Sequence, residues 1–417
     1  MWRSVRFRYP NPYNSDVVNP RINLSAVPDY EGPANPWASG FVNPVCTIRC
    51  EALTLRTTAR VGASIITQWD DPLDALGWMS KTYWPGGGRW IGYLSYDLGR
   101  LFEKLPDGAV DDLNLPLFVF TYCRRASERI YAPEPAYGSS DTPLQSNFTR
   151  PAYEAAVARA IEYISAGDVF QVNLSHRFKA GLKVHPAAIY HYLVRHTPSA
   201  YGAYLAYGDF VLISNSPELF LRVAPDPENG GRRIITRPIK GTRPNAPGME
   251  NELRDSAKDQ AELNMIIDLE RNDLGRVCTI GSVRVTQPRA IEVHPTVIHG
   301  VSTIEGSLRD DVSFVDLLRA MFPGGSVTGA PKIRAMEIID ALEPTRRGPY
   351  CGAIGYLDAD GTMQFNISIR TMIVKEGMIY IPVGGGVVAD SNPAAEYEET
   401  LVKAKAMLAA VGLSVNA

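Results

Sequence analysis

The sequence predicts an α+β fold with a large mixed β-sheet or β-sandwich core and flanking helices. Stretches with the periodicity of strands and of helices follow one another irregularly, without the βαβ repeat of a doubly wound sheet. The chain has 417 residues, of which 45% are hydrophobic. A chain of this length and composition can bury one large core or two smaller ones.

The first part of the chain contains two strand patterns and a boundary. Residues 1–60 are rich in Pro, Asn and Arg, and we expect an irregular arm that leads into a strand. Aromatic and apolar residues predict strands at Trp90–Asp97 and Leu115–Tyr122. The Pro, Gly, Ser and Asp residues of Ala132–Asn147 indicate a linker, and we place a domain boundary there.

The second part of the chain mixes helices with short strands. Apolar residues recur at helical spacing over Tyr153–Ala166, and Gly167 can end that helix. Apolar and polar residues alternate over 170–175, which predicts a half-buried strand. Three further helices are expected over Met249–Arg276, after Gly324–Thr328, and from the Asn392–Pro393 cap to about Gly412.

Charge and composition argue against several kinds of partner. The net charge is −3, which gives no electrostatic case for binding nucleic acid or an anionic membrane. No apolar run approaches the ~20 residues needed to cross a bilayer. The five cysteines lack paired zinc-ligand spacing, and the first residues lack the apolar core of a signal peptide. We therefore expect free thiols and a cytoplasmic location.

Two of the expected helices carry acidic residues on one face. Asp259 and Glu262 are three residues apart. Glu396 and Glu399 repeat that spacing, and Lys403 follows four residues later. Such spacings align side chains along one side of a helix. They fit a solvated charged face, and they equally fit a Mg²⁺ site built from carboxylates, water and an anionic substrate group.

A lysine and a glutamate lie next to breaks in apolar strands. Lys240 stands between Ile234–Ile235 and the turn at Gly241–Thr242. An amine is a nucleophile only when neutral, which requires desolvation or a nearby cation. Glu218 follows a strand break at Ser216–Pro217, where apolar neighbours could raise its pKa for general acid catalysis. Taken singly, an exposed lysine and an ordinary turn residue fit these patterns as well.

Three segments offer groups that could bind an anion. Residues 364–372 alternate between an apolar and a polar face, and Arg370 on the polar face suits bidentate capture of a carboxylate. Gly384–Gly386 follows the apolar strand 378–383, and Gly324–Ser326 precedes an expected helix, so backbone N–H groups could approach an anion at either place. A solvent-facing strand and plain tight turns are the alternatives.

Four segments together resemble the chorismate-utilising enzymes, the family of anthranilate synthase component I, aminodeoxychorismate synthase component I, isochorismate synthase and salicylate synthase. The segments are Asp268–Val277, Phe322–Lys332, Arg347–Tyr356 and Glu396–Thr400. The similarity is specific over residues 150–417 and weaker over 90–120. It implies an anthranilate synthase component I-like fold, with an N-terminal region of residues 1–145 and a chorismate-binding catalytic domain of residues 146–417.

The resemblance also implies a role for each candidate residue. The metal would be Mg²⁺ on the ring carboxylate of chorismate, with Glu262 and Glu399 as ligands and Asp259 and Glu396 in support. The catalytic residues would be Lys240, His299 and Glu218, the last as the acid that assists departure of the C4 hydroxyl. The other substrate-binding residues would be Tyr350, Arg370, Gly384 and Gly386 at the enolpyruvyl carboxylate, with Gln171, Ser326 and Lys403 in the same pocket.

Two positions separate the branches of this family. Isochorismate and salicylate synthases need a lysine base where this chain has Gln171, and a glutamine cannot take a proton from water. Lys240 is the mark of aminodeoxychorismate synthases, since anthranilate synthases typically have alanine there. The resemblance thus implies amination of chorismate to 4-amino-4-deoxychorismate, for p-aminobenzoate and folate synthesis, through a covalent bond to Lys240. The alternatives are anthranilate synthase component I and a relative that only binds chorismate or a partner subunit.

The source of the nitrogen is expected to lie outside this chain. No glutaminase segment is visible, and Cys351 falls inside one of the resembling segments instead of a nucleophile elbow. The resemblance therefore implies ammonia from a separate glutamine amidotransferase subunit, with free ammonia as a substitute.

Overall fold

The computed structural model describes residues 21–25, 41–125, 143–227 and 230–414. Most of the expected linker at 132–147 lies outside these ranges, as does much of the expected arm. The described part of residues 1–60 forms strands, so the expectation of an irregular arm is wrong there. These segments pair with strands that are distant in sequence, which no local pattern reveals. No helix in the described ranges combines the length and the apolar character that a membrane span requires.

Twenty strands and eight α-helices make up the described chain. The strands are β1 (Arg21–Ser25), β2 (Phe41–Cys50), β3 (Thr57–Val61), β4 (Ser64–Trp69), β5 (Arg89–Leu94), β6 (Phe118–Arg125), β7 (Gln145–Ser146), β8 (Gln171–Gly181), β9 (Tyr201–Ala206), β10 (Phe210–Ser216), β11 (Leu219–Pro225), β12 (Arg232–Arg237), β13 (Ile239–Pro244), β14 (Arg284–Val293), β15 (Val297–Leu308), β16 (Gly329–Ala330), β17 (Ala353–Asp358), β18 (Met363–Ile367), β19 (Thr371–Lys375) and β20 (Met378–Val387). The helices are α1 (Pro72–Met79), α2 (Arg150–Ser165), α3 (Pro186–His196), α4 (Met249–Asp255), α5 (Ala257–Gly275), α6 (Phe314–Met321), α7 (Lys332–Leu342) and α8 (Pro393–Ala410).

The strands form two sheets, and the pairing between neighbouring strands is antiparallel. An eight-stranded sheet runs in the order β1-β9-β10-β19-β20-β8-β16, with β7 beside β8. A twelve-stranded sheet runs β13-β15-β12-β11-β18-β17-β5-β6-β2-β3-β4, with β14 beside β15. Buried residues of both sheets, such as Tyr93, Leu212 and Tyr356, share one apolar cluster. The sheets therefore pack face to face as a sandwich, which confirms the α+β expectation.

Helices cover the outer face of each sheet. Apolar residues of α1, α5 and α6 pack on the twelve-stranded sheet, and those of α3 and α8 pack on the eight-stranded sheet. The expected start of α8 is confirmed: the Asn392 side chain accepts a hydrogen bond from the Ala395 N–H, and Pro393 is the first helical residue. This cap fixes the register in which Glu396 and Glu399 leave the helix.

Two helix boundaries differ from the expectation. Residues 249–276 form two helices, α4 and α5, because Ser256 adopts an extended backbone and its side chain caps α5 by accepting from the Asp259 N–H. Behind Gly324–Thr328 the chain forms only a short 3₁₀ helix, Gly325–Val327, and α7 starts later. Gly329, with a φ of 151°, lies outside the helical region and separates the two.

Strands from both sides of residue 145 share the twelve-stranded sheet. β5 and β6 belong to the first 145 residues, and β5 pairs with β17 of the second region over six residues. β1 likewise extends the eight-stranded sheet by pairing with β9. The division into regions 1–145 and 146–417 stays a prediction.

Candidate active site

The chain crosses between the two sheets at two neighbouring places, and each crossing carries a candidate residue. Ser216–Glu218 joins β10 to β11, and Ser368–Arg370 joins β18 to β19. Two backbone hydrogen bonds of 3.0 Å connect these crossings, from the Ile367 N–H to the Glu218 carbonyl and from the Asn215 N–H to the Arg370 carbonyl. Glu218 and Arg370 are thereby held beside each other at the edge of the sandwich.

The expected single strand at 364–372 is interrupted at residues 368–370, which separate β18 from β19. β18 ends at Ile367, and Arg370 has a φ of 49°, in the left-handed region that a strand cannot include. Gln364 and Asn366 are buried, not solvent-facing, because the strand lies between the other sheet and the helices. Arg370 therefore lies in a turn, and not on the polar face of a strand from which its role was predicted.

Glu218 is a buried carboxyl surrounded by cations and polar hydrogens. It is 4% exposed, and its Oε1 accepts a hydrogen bond of 3.4 Å from the Ile239 N–H. Burial raises its pKa, and the Ser326 hydroxyl and the charges of Lys240 and Arg370 act in the opposite direction. A raised pKa increases the fraction of the carboxyl that is protonated and can give its proton to a leaving group.

Arg370 and His299 provide a cation and a neutral imidazole near Glu218. In the described part of the chain no carboxylate lies within 4.0 Å of the Arg370 guanidinium, so it is available to an anionic ligand. His299 is 1% exposed and its Nδ1 lies 2.9 Å from the Thr242 hydroxyl. Burial lowers the pKa of His299 well below its usual value, and the charge of Arg370 adds to this. His299 is therefore neutral at physiological pH.

Lys240 lies at an irregularity in β13 that brings its amine into the site. The pairing of β13 with β15 slips between Ile239 and Thr242, and Gly241 takes a φ of 79°. The Lys240 side chain is half-buried, and its Nζ lies 3.3 Å from where a Cβ on Gly386 would stand. Burial lowers the pKa of Lys240, against the opposing charges of nearby carboxylates. Those carboxylates are Glu262, Glu218 and Glu399.

The glycines at 384–386 lie within β20, which continues beyond the expected strand 378–383, and their approach to an anion stays a prediction. Their backbone is extended and pairs with β8. A Cβ at Gly386 would overlap the Gln171 amide. Gln171 is 1% exposed, and its Oε1 has no hydrogen-bond partner among the described residues. The absence of a side chain at Gly386 thus leaves room for the Gln171 amide, whose oxygen has no hydrogen-bond partner among the described residues.

The expected anion site at Gly324–Ser326 is also different. The Gly325 N–H donates to Glu270 Oε1 at 3.1 Å, so this amide already has a partner inside the protein. Ser326 is 8% exposed and lies close enough to the Glu218 carboxyl to lower its pKa. Ser326 is therefore connected to the site by its effect on the Glu218 carboxyl.

The acidic helix faces of α5 and α8 lie close enough for their charges to act on one another. The negative charge of Glu399 helps raise the pKa of both Glu262 and Glu396, whose largest cause is burial. Lys403 holds Glu399 at 2.7 Å and also donates to the Gly384 carbonyl at 2.9 Å. This ion pair lowers the pKa of Glu399. The Glu399 side chain is 54% exposed, so the two acidic faces interact electrostatically while staying partly solvated.

The acidic side chains do not have the geometry of a complete metal site. In the described ranges no three His, Cys, Asp or Glu side chains lie at metal-binding spacing. Asp259 is held by Arg243 at 3.0 Å, and Glu396 accepts from the Ser391 hydroxyl at 2.6 Å. The donor chemistry nevertheless fits a hard cation that takes one or two carboxylates and several waters. Mg²⁺ stays a prediction for this site.

The remaining candidate, Tyr350, is buried at 4% exposure. Burial raises the pKa of its hydroxyl, and Arg347 and Glu343 are nearby charges that act on it. Its expected contact with an enolpyruvyl carboxylate stays a prediction. Two residues were missed by the sequence: Thr242, which bonds His299, and Glu270, which bonds Gly325. The sequence indicated only their location, because Thr242 follows Lys240 in the turn and Glu270 lies in the segment Asp268–Val277 that resembles the family.

The family of chorismate binding enzymes matches residues 30–409. The chain belongs to the chorismate-binding enzymes.

This chorismate-binding enzyme is similar over most of its length to relatives with two different names. It is 43% identical over 370 residues to anthranilate synthase component 1 of Thermus thermophilus, with 79% of each chain covered. It is 39% identical over 411 residues to aminodeoxychorismate synthase component 1 of Bacillus subtilis, with 86% of each chain covered. The crystal structure of anthranilate synthase component I from Streptococcus pneumoniae matches it with a TM-score of 0.75 at 31% identity, covering 97% of this chain and 94% of that one.

Proposed function

We propose that this chorismate-binding enzyme is an aminodeoxychorismate synthase component I. It converts chorismate and ammonia to 4-amino-4-deoxychorismate, which feeds p-aminobenzoate and folate synthesis. The observation that carries this proposal is the Lys240 amine, whose pKa is lowered by burial and whose Nζ stands beside Gly386 and Gln171. A lowered pKa increases the fraction of the amine that is neutral, and a neutral amine can attack carbon, a step that anthranilate synthesis does not need.

The first step replaces the C4 hydroxyl by a bond at C2. The Lys240 nitrogen donates its electron pair to C2, the C1=C2 and C5=C6 double bonds shift to C1=C6 and C4=C5, and the C4–O bond breaks. Glu218 gives its proton to the departing oxygen, which leaves as water, and the proton lost by the lysine nitrogen restores Glu218. The raised pKa of Glu218 and the lowered pKa of Lys240 favour the two uncharged forms that this step consumes.

The second step places nitrogen at C4. Ammonia attacks C4, the two double bonds return to C5=C6 and C1=C2, and the C2–N bond to Lys240 breaks with the electron pair going to the lysine nitrogen. One proton passes from the new ammonium to the departing amine, so chorismate and ammonia give aminodeoxychorismate and water. Two successive allylic displacements thus explain a para product, whereas direct attack of ammonia at C2 gives the ortho product.

The other residues bind and orient the substrate. Arg370, which has no carboxylate partner in the described structure, suits the enolpyruvyl carboxylate, with Tyr350 and the Gly384–Gly386 backbone. His299 is neutral and its Nδ1 is bonded to Thr242, so its other ring nitrogen can serve the ligand. Glu262 and Glu399 would hold Mg²⁺, which supplies charge neutralisation for the ring carboxylate.

A separate glutaminase subunit would supply the ammonia. All five cysteines of the chain are buried, and burial raises the pKa of each thiol. A glutaminase nucleophile of the cysteine type needs an accessible thiol with a lowered pKa. The names of the relatives as component 1 support a second component for this chain too.

The second candidate is anthranilate synthase component I, because the relative from Thermus thermophilus with that name is 43% identical. One assay separates the two. The pure chain is mixed with chorismate, Mg²⁺ and an ammonium salt, with and without a lyase that converts aminodeoxychorismate to p-aminobenzoate. Product that depends on the lyase supports the proposal, and fluorescent anthranilate without the lyase supports the second candidate. No turnover with any nitrogen source indicates a binding protein.

The variant Lys240→Ala sharpens this test. We expect the 4-amino product to disappear, while chorismate binding, followed by equilibrium titration, stays within about threefold of the parent. Ortho product from the variant would show that the amine directs the position of attack. Unchanged 4-amino product would remove Lys240 from the mechanism.

A further inference from the structure

A buried carboxyl that the proposed reaction does not use lies behind the site. Glu270 on α5 is 3% exposed. Its Oε1 accepts the hydrogen bond from the Gly325 N–H, while its Oε2 has no partner among the described residues. A buried polar oxygen without a partner is uncommon in folded proteins and calls for a reason.

The Gly325 contact anchors the short 3₁₀ helix Gly325–Val327, which carries Ser326. This turn is closely packed on both sides. A Cβ on Gly325 would stand 2.7 Å from Leu269 Cδ2 and 3.0 Å from Glu270 Oε1, and a Cβ on Gly324 would overlap the Ile367 side chain. The turn therefore packs directly against Glu270.

The Glu270 carboxyl is favoured in its neutral form. Burial and the charge of Asp273 raise its pKa, and the charge of Glu218 acts the same way. Lys332 and the Gly325 N–H oppose the shift, but Lys332 is already bound to Asp273 at 2.5 Å and to the Met321 carbonyl at 2.7 Å. A neutral carboxyl can accept from Gly325 without adding a second negative charge near Glu218.

These contacts form one connected path from α5 to the general acid. Glu270 bonds Gly325, the turn lies against Phe220 and Ile367 at Gly324, and the Ile367 N–H bonds the Glu218 carbonyl. Ser326, the residue after Gly325, lowers the pKa of the Glu218 carboxyl. We propose that Glu270 is a positioning residue that holds the Gly325–Val327 turn and, through Ser326, sets how readily Glu218 releases its proton. The proposal rests on the general acid role of Glu218, and it holds whichever amino product forms.

The test compares two variants that differ in the hydrogen-bond acceptor. Glu270→Gln keeps a side-chain carbonyl for the Gly325 N–H, whereas Glu270→Met fills the same volume without an acceptor. Both variants remove the negative charge that Glu270 carries at high pH. A difference in activity between them therefore reports the hydrogen bond from the Gly325 N–H. Chorismate consumption with a fixed total ammonium concentration is measured from pH 6 to pH 10, which makes the ammonia supply identical for all variants.

We expect Glu270→Gln to keep turnover within about threefold of the parent. In Glu270→Met the maximal rate should fall between about tenfold and about a hundredfold, with little change in KM, because the acid is misplaced. The alkaline limb of its profile should move to higher pH relative to Glu270→Gln, by up to about one unit, because Ser326 no longer lowers the Glu218 pKa. The charged groups that face Glu218 otherwise, Lys240 and Arg370, are the same in both variants.

A double-variant comparison distinguishes positioning from general support of the fold. In a Ser326→Ala background, Glu270→Met should not shift the alkaline limb of the pH profile any further, because the hydroxyl through which Glu270 affects Glu218 is already absent. Glu270→Asp shortens the side chain by one methylene and so withdraws the carboxyl from the Gly325 N–H. We expect it to shift the alkaline limb of the pH profile as Glu270→Met does, and it replaces that variant if Glu270→Met does not fold. Equal profiles for the Gln and Met variants, or a limb shift that persists in the Ser326→Ala background, would overturn the proposal. If Glu218→Gln itself leaves turnover intact, the proposed general acid fails and the Glu270 inference fails with it, independently of the product formed.

Discussion

The wall of the site at β20 leaves no space for a methyl group, and Gly386→Ala tests this directly. Gly386 pairs with Asn173 of β8. An alanine Cβ there would overlap Gln171 Nε2, with Gln171 Cδ at 3.2 Å and Lys240 Nζ at 3.3 Å. Gln171 is 1% exposed, so its amide cannot move into solvent to relieve the overlap. Either the strand or the two side chains must shift.

The expected cost follows from two opposing effects. Forcing an extra methyl group into a closely packed site costs ~1–3 kcal/mol. Replacing glycine by alanine at an ordinary backbone conformation gains up to ~1 kcal/mol through the unfolded chain, and Gly386 has no positive φ. The net loss of unfolding free energy should be about 1–2 kcal/mol. Displacement of the Lys240 amine by about 1 Å should reduce turnover by up to about a hundredfold.

Urea unfolding and chorismate consumption on the same preparation measure the two effects. Gly77→Ala in α1 is the matched control, because nothing lies within 4 Å of a Cβ there. This control should gain up to ~1 kcal/mol through helix propensity and keep its turnover. A Gly386→Ala variant with parental stability and turnover would show that Gln171 and Lys240 do not stand where the structure has them.

Three further predictions concern the acid, a buried ion pair and a histidine. Glu218→Gln cannot protonate the C4 hydroxyl, so steady-state turnover should fall ~10²–10⁴-fold, and an unchanged rate would exclude it as the acid. Glu343→Leu leaves Arg347, 2% exposed and paired at 2.6 Å, without its carboxylate. Urea unfolding should show a loss of ~3–5 kcal/mol, and a loss below ~1 kcal/mol would contradict this. Burial lowers the pKa of His176 from 6.5 to about 4. Below pH 6.5 only the unfolded chain binds that proton, so stability should fall by about 3 kcal/mol toward pH 4, and the slope should be absent in His176→Asn.

The helical parts of the site were the most predictable from the sequence. The Asn392–Pro393 start of α8 is a local signal, and it sets the helical register on which Glu399 and Lys403 pair at 2.7 Å. The break at Ser216–Pro217 is equally local, because proline cannot continue a strand ladder. Such features depend on a few adjacent residues, so a single sequence contains the information for them.

The strand parts of the site were predicted less well. The alternation over 364–372 suggested one strand, but β18 and β19 belong to different sheets, and the turn is made by Arg370 at a φ of 49°. An arginine in the left-handed region has no sequence signature. The pairing of Gly384–Gly386 with β8 depends on a strand more than 200 residues earlier, which the local pattern cannot reveal.

A single physical cause sets the protonation of both reactive groups. Burial disfavours whichever form carries charge, so the same environment raises the pKa of Glu218 and lowers the pKa of Lys240. The proposed first step needs a protonated acid and a neutral amine at one pH, and two groups in water would satisfy this poorly. The sheet crossing at Glu218 and the slipped pairing at Lys240 place both groups where the regular strands are interrupted. Opening this region to water, by any substitution that leaves the two side chains intact, should therefore restore both charges and lower the rate without loss of either residue.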